Sequence, residues 1–325
     1  MITRRSMLKS AAAALAAPAL VTSTSAQSVW PNRPVRVVVP YPPAGGADTT
    51  ARLLFTKLGE MWGQQFVIDN RGGAGGTIGE AQVAKADADG YTILHDATAF
   101  SVNPALYQNL AFDYSKDFAP VFLASLVPNI LVVNKDVEAK TVADIVELAK
   151  KTPGGLDFAS SGNGTLQHLC LELLRHMAQV QINHIPYRGG GLALNDVIGG
   201  QVKFYFSNGS ASVGLIQGGQ LKAIAHTGKG QLGTLPDLPA MQDTIAGFEG
   251  YEWNGVFVPA NTSPEIVTKL NAGLNEVIRQ PDIQARLKTL NIDFRENTPD
   301  EFKTFVATET EKWGKVVKDA GIKLG

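Results

Sequence analysis

Two glycine-rich loops hold the residues of this chain best suited to chemistry. The first, residues 41–48, reads Tyr41-Pro42-Pro43-Ala44-Gly45-Gly46-Ala47-Asp48. Its prolines stiffen the backbone and its glycines let a ligand approach the main chain. The helix behind it offers unpaired N–H groups and the positive end of its dipole, a combination that suits a carboxylate. The second loop, residues 160–165, reads Ser160-Ser161-Gly162-Asn163-Gly164-Thr165 and places hydroxyl donors ahead of another helix. One such loop is commonplace. Two of them, each at the carboxyl end of a strand in its own lobe, stand where open α/β sheets take ligands. Asp48 and Thr165 keep an alternative reading as helix N-caps.

Other chemistries are poorly provided for. Gly72-Gly73-Ala74-Gly75-Gly76 matches neither G-x-G-x-x-G nor a Walker loop with its lysine, and reads as a turn leading into a helix. Ser161 lacks the G-x-S-x-G elbow of a hydrolase, although His168 is near enough in sequence to keep a nucleophile pair open. His95, His176, His184 and His226 are scattered without ligand spacing, so neither a metal nor another cofactor is expected. Cys170 is the only cysteine, which excludes an intrachain disulfide; between Leu169 and Leu171 it reads as a buried helical thiol.

The elements that must position these loops follow an alternation of short apolar strands and amphipathic helices, the pattern of an α/β protein with mainly parallel sheets. Val35-Arg36-Val37-Val38-Val39 predicts a strand. Ala51, Leu54, Phe55, Leu58 and Met61 share one face of a helix stopped at Gly63. Strands are expected at 65–69 and 91–94, with a helix through Ile78, Val83 and Ala84 between them. The apolar run 123–134 is interrupted by Pro128-Asn129, where the chain is expected to cross into a second lobe. There, Thr141-x-x-Asp144 opens a helix ending near Lys151. Strands at 156–159, 183–186, 203–206 and 221–225 and a helix at 166–177 follow. Residues 253–258 read as the return crossing, and Pro264 and Pro299 each stand at the first position of a closing helix.

The chain has 325 residues, enough for two lobes. It opens on Thr3-Arg4-Arg5-Ser6-Met7-Leu8-Lys9 and an alanine-rich run too short to span a bilayer, followed by Thr24-Ser25-Ala26. This predicts a cleavable twin-arginine export signal over residues 1–26 and work in the periplasm. The 29 basic and 30 acidic residues nearly cancel, and the signal holds Arg4, Arg5 and Lys9 but no acid. The remainder is mildly acidic, which offers no footprint for nucleic acid or an anionic membrane.

Taken in order, several motifs resemble one family. They are Pro40-Tyr41-Pro42-Pro43 through Asp48 with Ala51-Arg52, Asp69-Asn70-Arg71 before the glycine run, Asp89-Gly90-Tyr91-Thr92 and Asn103-Pro104-Ala105-Leu106. Ser161-Gly162-Asn163-Gly164-Thr165 with His168-Leu169, Ile185-Pro186-Tyr187-Arg188-Gly189, Gly199-Gly200-Gln201-Val202 and Leu235-Pro236-Asp237-Leu238-Pro239 complete the set. From about Trp30 onward the chain resembles the solute-binding receptors of tripartite tricarboxylate transporters, the TctC or Bug family. The resemblance implies an α/β, two-lobed periplasmic binding protein fold of the type II, Venus-flytrap kind, with a mainly parallel sheet in each lobe. Lobe 1 would comprise residues 27–126 and 250–325, and lobe 2 residues 127–249.

It also implies a site. Tyr41, Pro43, Ala44, Gly45 and Asp48 would form one pincer on a ligand carboxyl group, and Ser160, Ser161, Asn163, Thr165 and His168 the other. Thr98, in a loop over 98–101, and the strand end Phe206-Ser207 would line the rest. Three departures bear on the ligand. Ala44 stands where the family often has glycine, narrowing the approach. Phe100 would add apolar surface. Ser207 stands where many members carry aspartate, which weighs against an amino-acid ligand. The expected partners are a small organic carboxylate and the membrane subunits of a transporter, with the receptor a monomer free of covalent chemistry. A receptor feeding a sensor kinase, and a hydrolase built on Ser161 and His168, are the alternatives.

Overall fold

The β-branched run after Pro34 forms strand β1 (Val35–Val39), buried along nearly its whole length in the computed structural model, which describes residues 30–43, 45–290 and 292–323. Helix α1 (Gly46–Trp62) buries Ala51, Leu54, Phe55 and Leu58 on one face. It ends at Gly63, whose left-handed φ of 65° is the conformation a helix C-cap glycine adopts without steric cost. β2 (Phe66–Asn70), α2 (Thr77–Ala84), β3 (Thr92–Ala97) and α3 (Ala99–Leu106) follow. β4 (Phe118–Asn134) then leads to α4 (Val142–Lys151), β5 (Leu156–Ser160), α5 (Leu166–Ala178), β6 (Ile182–Pro186) and α6 (Gly190–Ile198). The remainder is β7 (Phe204–Asn208), α7 (Gly209–Gln217), β8 (Leu221–His226), β9 (Tyr251–Pro259), α8 (Pro264–Arg279), α9 (Pro281–Thr289) and α10 (Pro299–Ala320).

Two sheets share β4. In the first, β1 lies parallel to β2 and β3, β9 is antiparallel to β3, and β4 is antiparallel to β9 as far as Pro128. In the second, β5 lies parallel to β6 and β7, and β4 is antiparallel to β7 and β8 from Asn129 onward. Each sheet therefore has a single reversed strand among the described residues, β9 in one and β4 in the other, so the sheets are mixed although most strands run one way. The expected break at Pro128-Asn129 does not occur: β4 is continuous. Proline lacks an N–H, and here it falls where the strand changes partners and a ladder bond is least missed.

The second sheet packs Leu131, Val133, Phe158, Phe204 and Phe206 against α5, with Cys170 fully buried and its thiol pushed up by desolvation. The first sheet packs Val35, Val37 and Val39 against α1 and α8. α10 spans both: Phe302 joins Trp253 and Phe257 on the first sheet, while Trp313 and Val317 enter the core of the second. Thr227, fully buried, ties the crossing segments together. Its Oγ accepts from Asn129 N–H at 2.8 Å and donates to the Gly250 carbonyl, and its own carbonyl accepts from Gly250 N–H at 2.9 Å.

The start of α3 overturns one expectation. Residues 99–101 are helix, and Phe100 turns into the first core, stacked on Phe257 with ring centroids 4.0 Å apart. It adds nothing apolar to the cleft, because its backbone position aims it between β9 and Phe118.

Candidate functional site

The first loop is held from behind. Asn70 Nδ2, at the end of β2, donates to the Tyr41 carbonyl at 3.1 Å and to Asp48 Oδ1 at 3.0 Å. Arg52, one turn along α1, donates from Nε to Asp48 Oδ2 at 3.0 Å and pairs with Oδ1 at 2.9 Å. Asp48 is thus buried as a brace and is not the N-cap. That position belongs to Gly45, which offers no side-chain cap, and a methyl group added at Gly46 would meet nothing within 4 Å. The start of α1 thus carries no side-chain cap and leaves room beside Gly46, a geometry in which a helix N-terminus can receive an anion. Ala44 lies outside the described residues.

Beneath this loop sits a buried acid pair. Tyr41 donates its hydroxyl to Asp96 Oδ1 at 2.7 Å, and Tyr114 donates to Glu80 Oε2. Asp96 Oδ2 has no conventional donor, and Glu80 faces it closely enough to hydrogen-bond. One proton between the two carboxyls satisfies both. Burial, with Asp96 beside it, pushes Glu80 far above the usual carboxylate range, and burial raises Asp96 as well. Burial also drives the Tyr41 phenol well above its ordinary value, so it remains a donor. His95, fully buried alongside, is lowered to about 3 by desolvation and is neutral.

The second loop is largely satisfied by itself. Gly162 N–H donates to Ser160 Oγ at 3.1 Å, Gly164 N–H to His168 Nδ1 at 3.1 Å, and Thr165 N–H to the Gly162 carbonyl at 3.4 Å. Thr165 is the N-cap of α5, accepting from His168 N–H at 3.4 Å, so its capping role is real. Ser161 donates to Gln167 Oε1 at 2.6 Å, and His168 is stacked on His184 at 3.7 Å with Nε2 3.7 Å from Glu172. Ser161 and His168 do not pair. Ser160 is fully buried, 2.5 Å from His184 Nε2, and Asn163 is exposed.

A cavity of about 490 Å³ lies between the sheets, walled by Tyr41, Pro43, Gly45, Gly46 and neighbouring residues of α1, by Ala97 and Val127, and across from them by Asn208 and Ser210. It brings the first loop to the end of β7 but includes none of residues 160–165. Three expected lining residues lie elsewhere. Phe206 is fully buried with its ring centroid 5.9 Å from that of Phe248, because alternation along β7 turns it into the core. Thr98 is buried, accepting from Trp253 N–H at 2.9 Å and so stitching β3 to β9. Ser207 is also buried, donating to the Asn208 carbonyl at 3.2 Å.

Sequence reasoning passed over Asn208 and Glu252. Asn208 caps α7 through Oδ1, which accepts from Ser210 N–H at 3.0 Å, while its Nδ2 donates to Glu252 Oε2 at 2.8 Å. Asn208-x-Ser210 before a helix is a legible capping signal. Nothing local announces Glu252, whose role depends on a residue 44 positions away. Among the described residues lining the cavity there is no lysine or arginine; the donors it offers are main-chain amides, side-chain amides and hydroxyls.

Residues 50–322 match the profile of the tripartite tricarboxylate transporter family receptor, TctC. The chain belongs to this family. A TctC relative described as a UPF0065 protein in the tcbD-tcbE intergenic region of Pseudomonas sp. (strain P51) is 37% identical over 97% of this chain and 94% of its own length. Among solved structures, that of an R. palustris protein with adipate is 34% identical with a TM-score of 0.78, covering 91% of this chain and 100% of the other. MatC from Rhodopseudomonas palustris with bound malate is 30% identical, TM-score 0.73, covering 88% and 99%. This TctC chain thus has the α/β, two-lobed periplasmic binding protein fold.

Proposed function

We propose that this receptor captures a small organic carboxylate between its two lobes and presents it to the membrane subunits of a tripartite tricarboxylate transporter. The observation that carries the reading is the uncapped start of α1 opening onto the interlobe cavity. An anion there meets aligned N–H groups without needing a cationic side chain. The adipate and malate in the two R. palustris structures support the same ligand class. Lobe 1, residues 27–126 and 250–325, and lobe 2, residues 127–249, hinge where β4 changes sheets and where the chain returns at Gly250. Closure carries the second loop, through Ser161 and Asn163, onto the ligand held by Tyr41, Pro43, Ala44 and Gly45. Binding is non-covalent and the receptor acts as a monomer.

The test is titration calorimetry of C3–C6 carboxylates against their neutral amides. Carboxylates should bind and the amides should not; equal affinity for acid and amide, or no binding by any acid, refutes the reading. Delivery to the periplasm through the twin-arginine signal belongs to the same proposal, although residues 1–29 lie outside the described structure. Replacing Arg4 and Arg5 together by lysine should leave precursor in the cytoplasm, and normal periplasmic yield would point to the general secretory route.

A further inference from the structure

Glu252 stands in the wall of a cleft assigned to an anion. It lies on β9, two residues from Asn254 and on the same face, and both line the cavity. Along this wall the first sheet leads from Ala97 at the end of β3, across Asn254, to Glu252 and then over to Asn208 of the second lobe. Asn254 is engaged, accepting from Ser125 Oγ at 2.9 Å and donating to the Asp96 carbonyl at 3.3 Å. Glu252 is only half-satisfied. Asn208 Nδ2 takes Oε2, while Oε1 accepts no hydrogen bond among the described residues, in a side chain that lines the cavity. Burial raises the carboxyl above its ordinary value and the Asn208 amide works against this, with no compensating cation among the described residues.

The cavity therefore has a positive pole at the start of α1 and a negative one at Glu252. We propose that Glu252 determines specificity, and that the ligand is a carboxylate bearing a second, hydrogen-bond-donating group, a hydroxyl or an ammonium, seated on Glu252 while its carboxylate meets the amides of α1. A plain fatty acid leaves Oε1 desolvated and unpartnered, and a second carboxylate meets a like charge. The buried Ser207 does not empty the site of acid: Glu252 supplies one from β9. The inference rests on the carboxylate reading and narrows its substrate class.

Calorimetry on the full-length mature protein separates the two. The probes are C3–C6 monocarboxylates, their 2- and 3-hydroxy and amino counterparts, and dicarboxylates of equal length, each titrated into wild type and Glu252→Gln. Donor-bearing acids should bind wild type at least roughly 10-fold more tightly than plain acids, since a hydrogen bond to a charged group is worth roughly 10- to 150-fold. Glu252→Gln should erase most of that preference and favour dicarboxylates instead. The wild-type ranking stands even if the variant folds poorly. The inference fails if plain acids or dicarboxylates bind wild type as tightly as donor-bearing ones, or if a folded Glu252→Gln keeps the wild-type ranking. If no carboxylate binds at all, the carboxylate reading itself falls and takes this inference with it. The hydroxy and amino arms decide which donor is read.

Discussion

Replacing Glu80 by glutamine should change how this protein's stability depends on pH. Glu80 and Asp96 are fully buried beneath the first loop and hold one proton between them near neutrality. In the unfolded chain both titrate near their ordinary values of 4.5 and 3.8 and are ionised. Because the folded value of Glu80 lies above its unfolded one, its contribution is fully present below about pH 4.5 and is lost as pH rises through the raised folded value. Where the folded pair keeps one proton that the unfolded pair has lost, stability falls by about 1.4 kcal/mol per pH unit. From pH 7 to 8.5 that is about 2 kcal/mol, or roughly 4–8 °C in melting temperature for a large domain. The window is a clean one. It lies above the range in which unfolded His95 and His184, held neutral in the fold with values near 3 and 4, take up protons. It also lies below the titration of the buried tyrosines. Glutamine keeps the shape, can donate its amide to Asp96 and accept from Tyr114, and has no proton to lose. Calorimetric melting at several pH values should therefore show a falling profile for wild type and a flatter one for Glu80→Gln, with the variant gaining relative stability at pH 8.5. Parallel profiles would refute the shared proton.

Other outcomes follow from the packing. Thr227→Val keeps the shape but strands the Asn129 N–H and the Gly250 carbonyl at the crossing, so denaturant unfolding should show a loss of about 1–3 kcal/mol. Gly255→Ala would set a methyl carbon 2.2 Å from Phe302 Cζ, and such overpacking costs about 1–3 kcal/mol. Combining it with Phe302→Leu should cost less than the sum of the two, a coupling a double-mutant cycle would register. Small-angle scattering should record a smaller radius of gyration with a saturating carboxylate, and an unchanged radius would exclude hinge closure.

Local signals settled much of this architecture before any tertiary contact is considered. The reciprocal bonds of Thr141 and Asp144, the cap at Thr165, the prolines opening α8 and α10 and the glycine ending α1 all act within a few residues, so sequence alone reveals them. The same holds for the two loops, since each follows a β-branched or apolar strand and precedes a periodic helix. Weak local preference hid other elements. α6 and α7 open on glycines and form because their apolar faces find the second sheet. Which side chains reach the cleft was decided only by tertiary structure. Phe100 and Phe206 looked available in sequence, yet strand and helix phase aims both into cores. Asp48 became a brace because Asn70 and Arg52 converge on it. Glu80, Asp96, Asn208 and Glu252 gained their character from partners brought together by folding, because burial and proximity set the energy of a charge, and neither is encoded by its sequence neighbours.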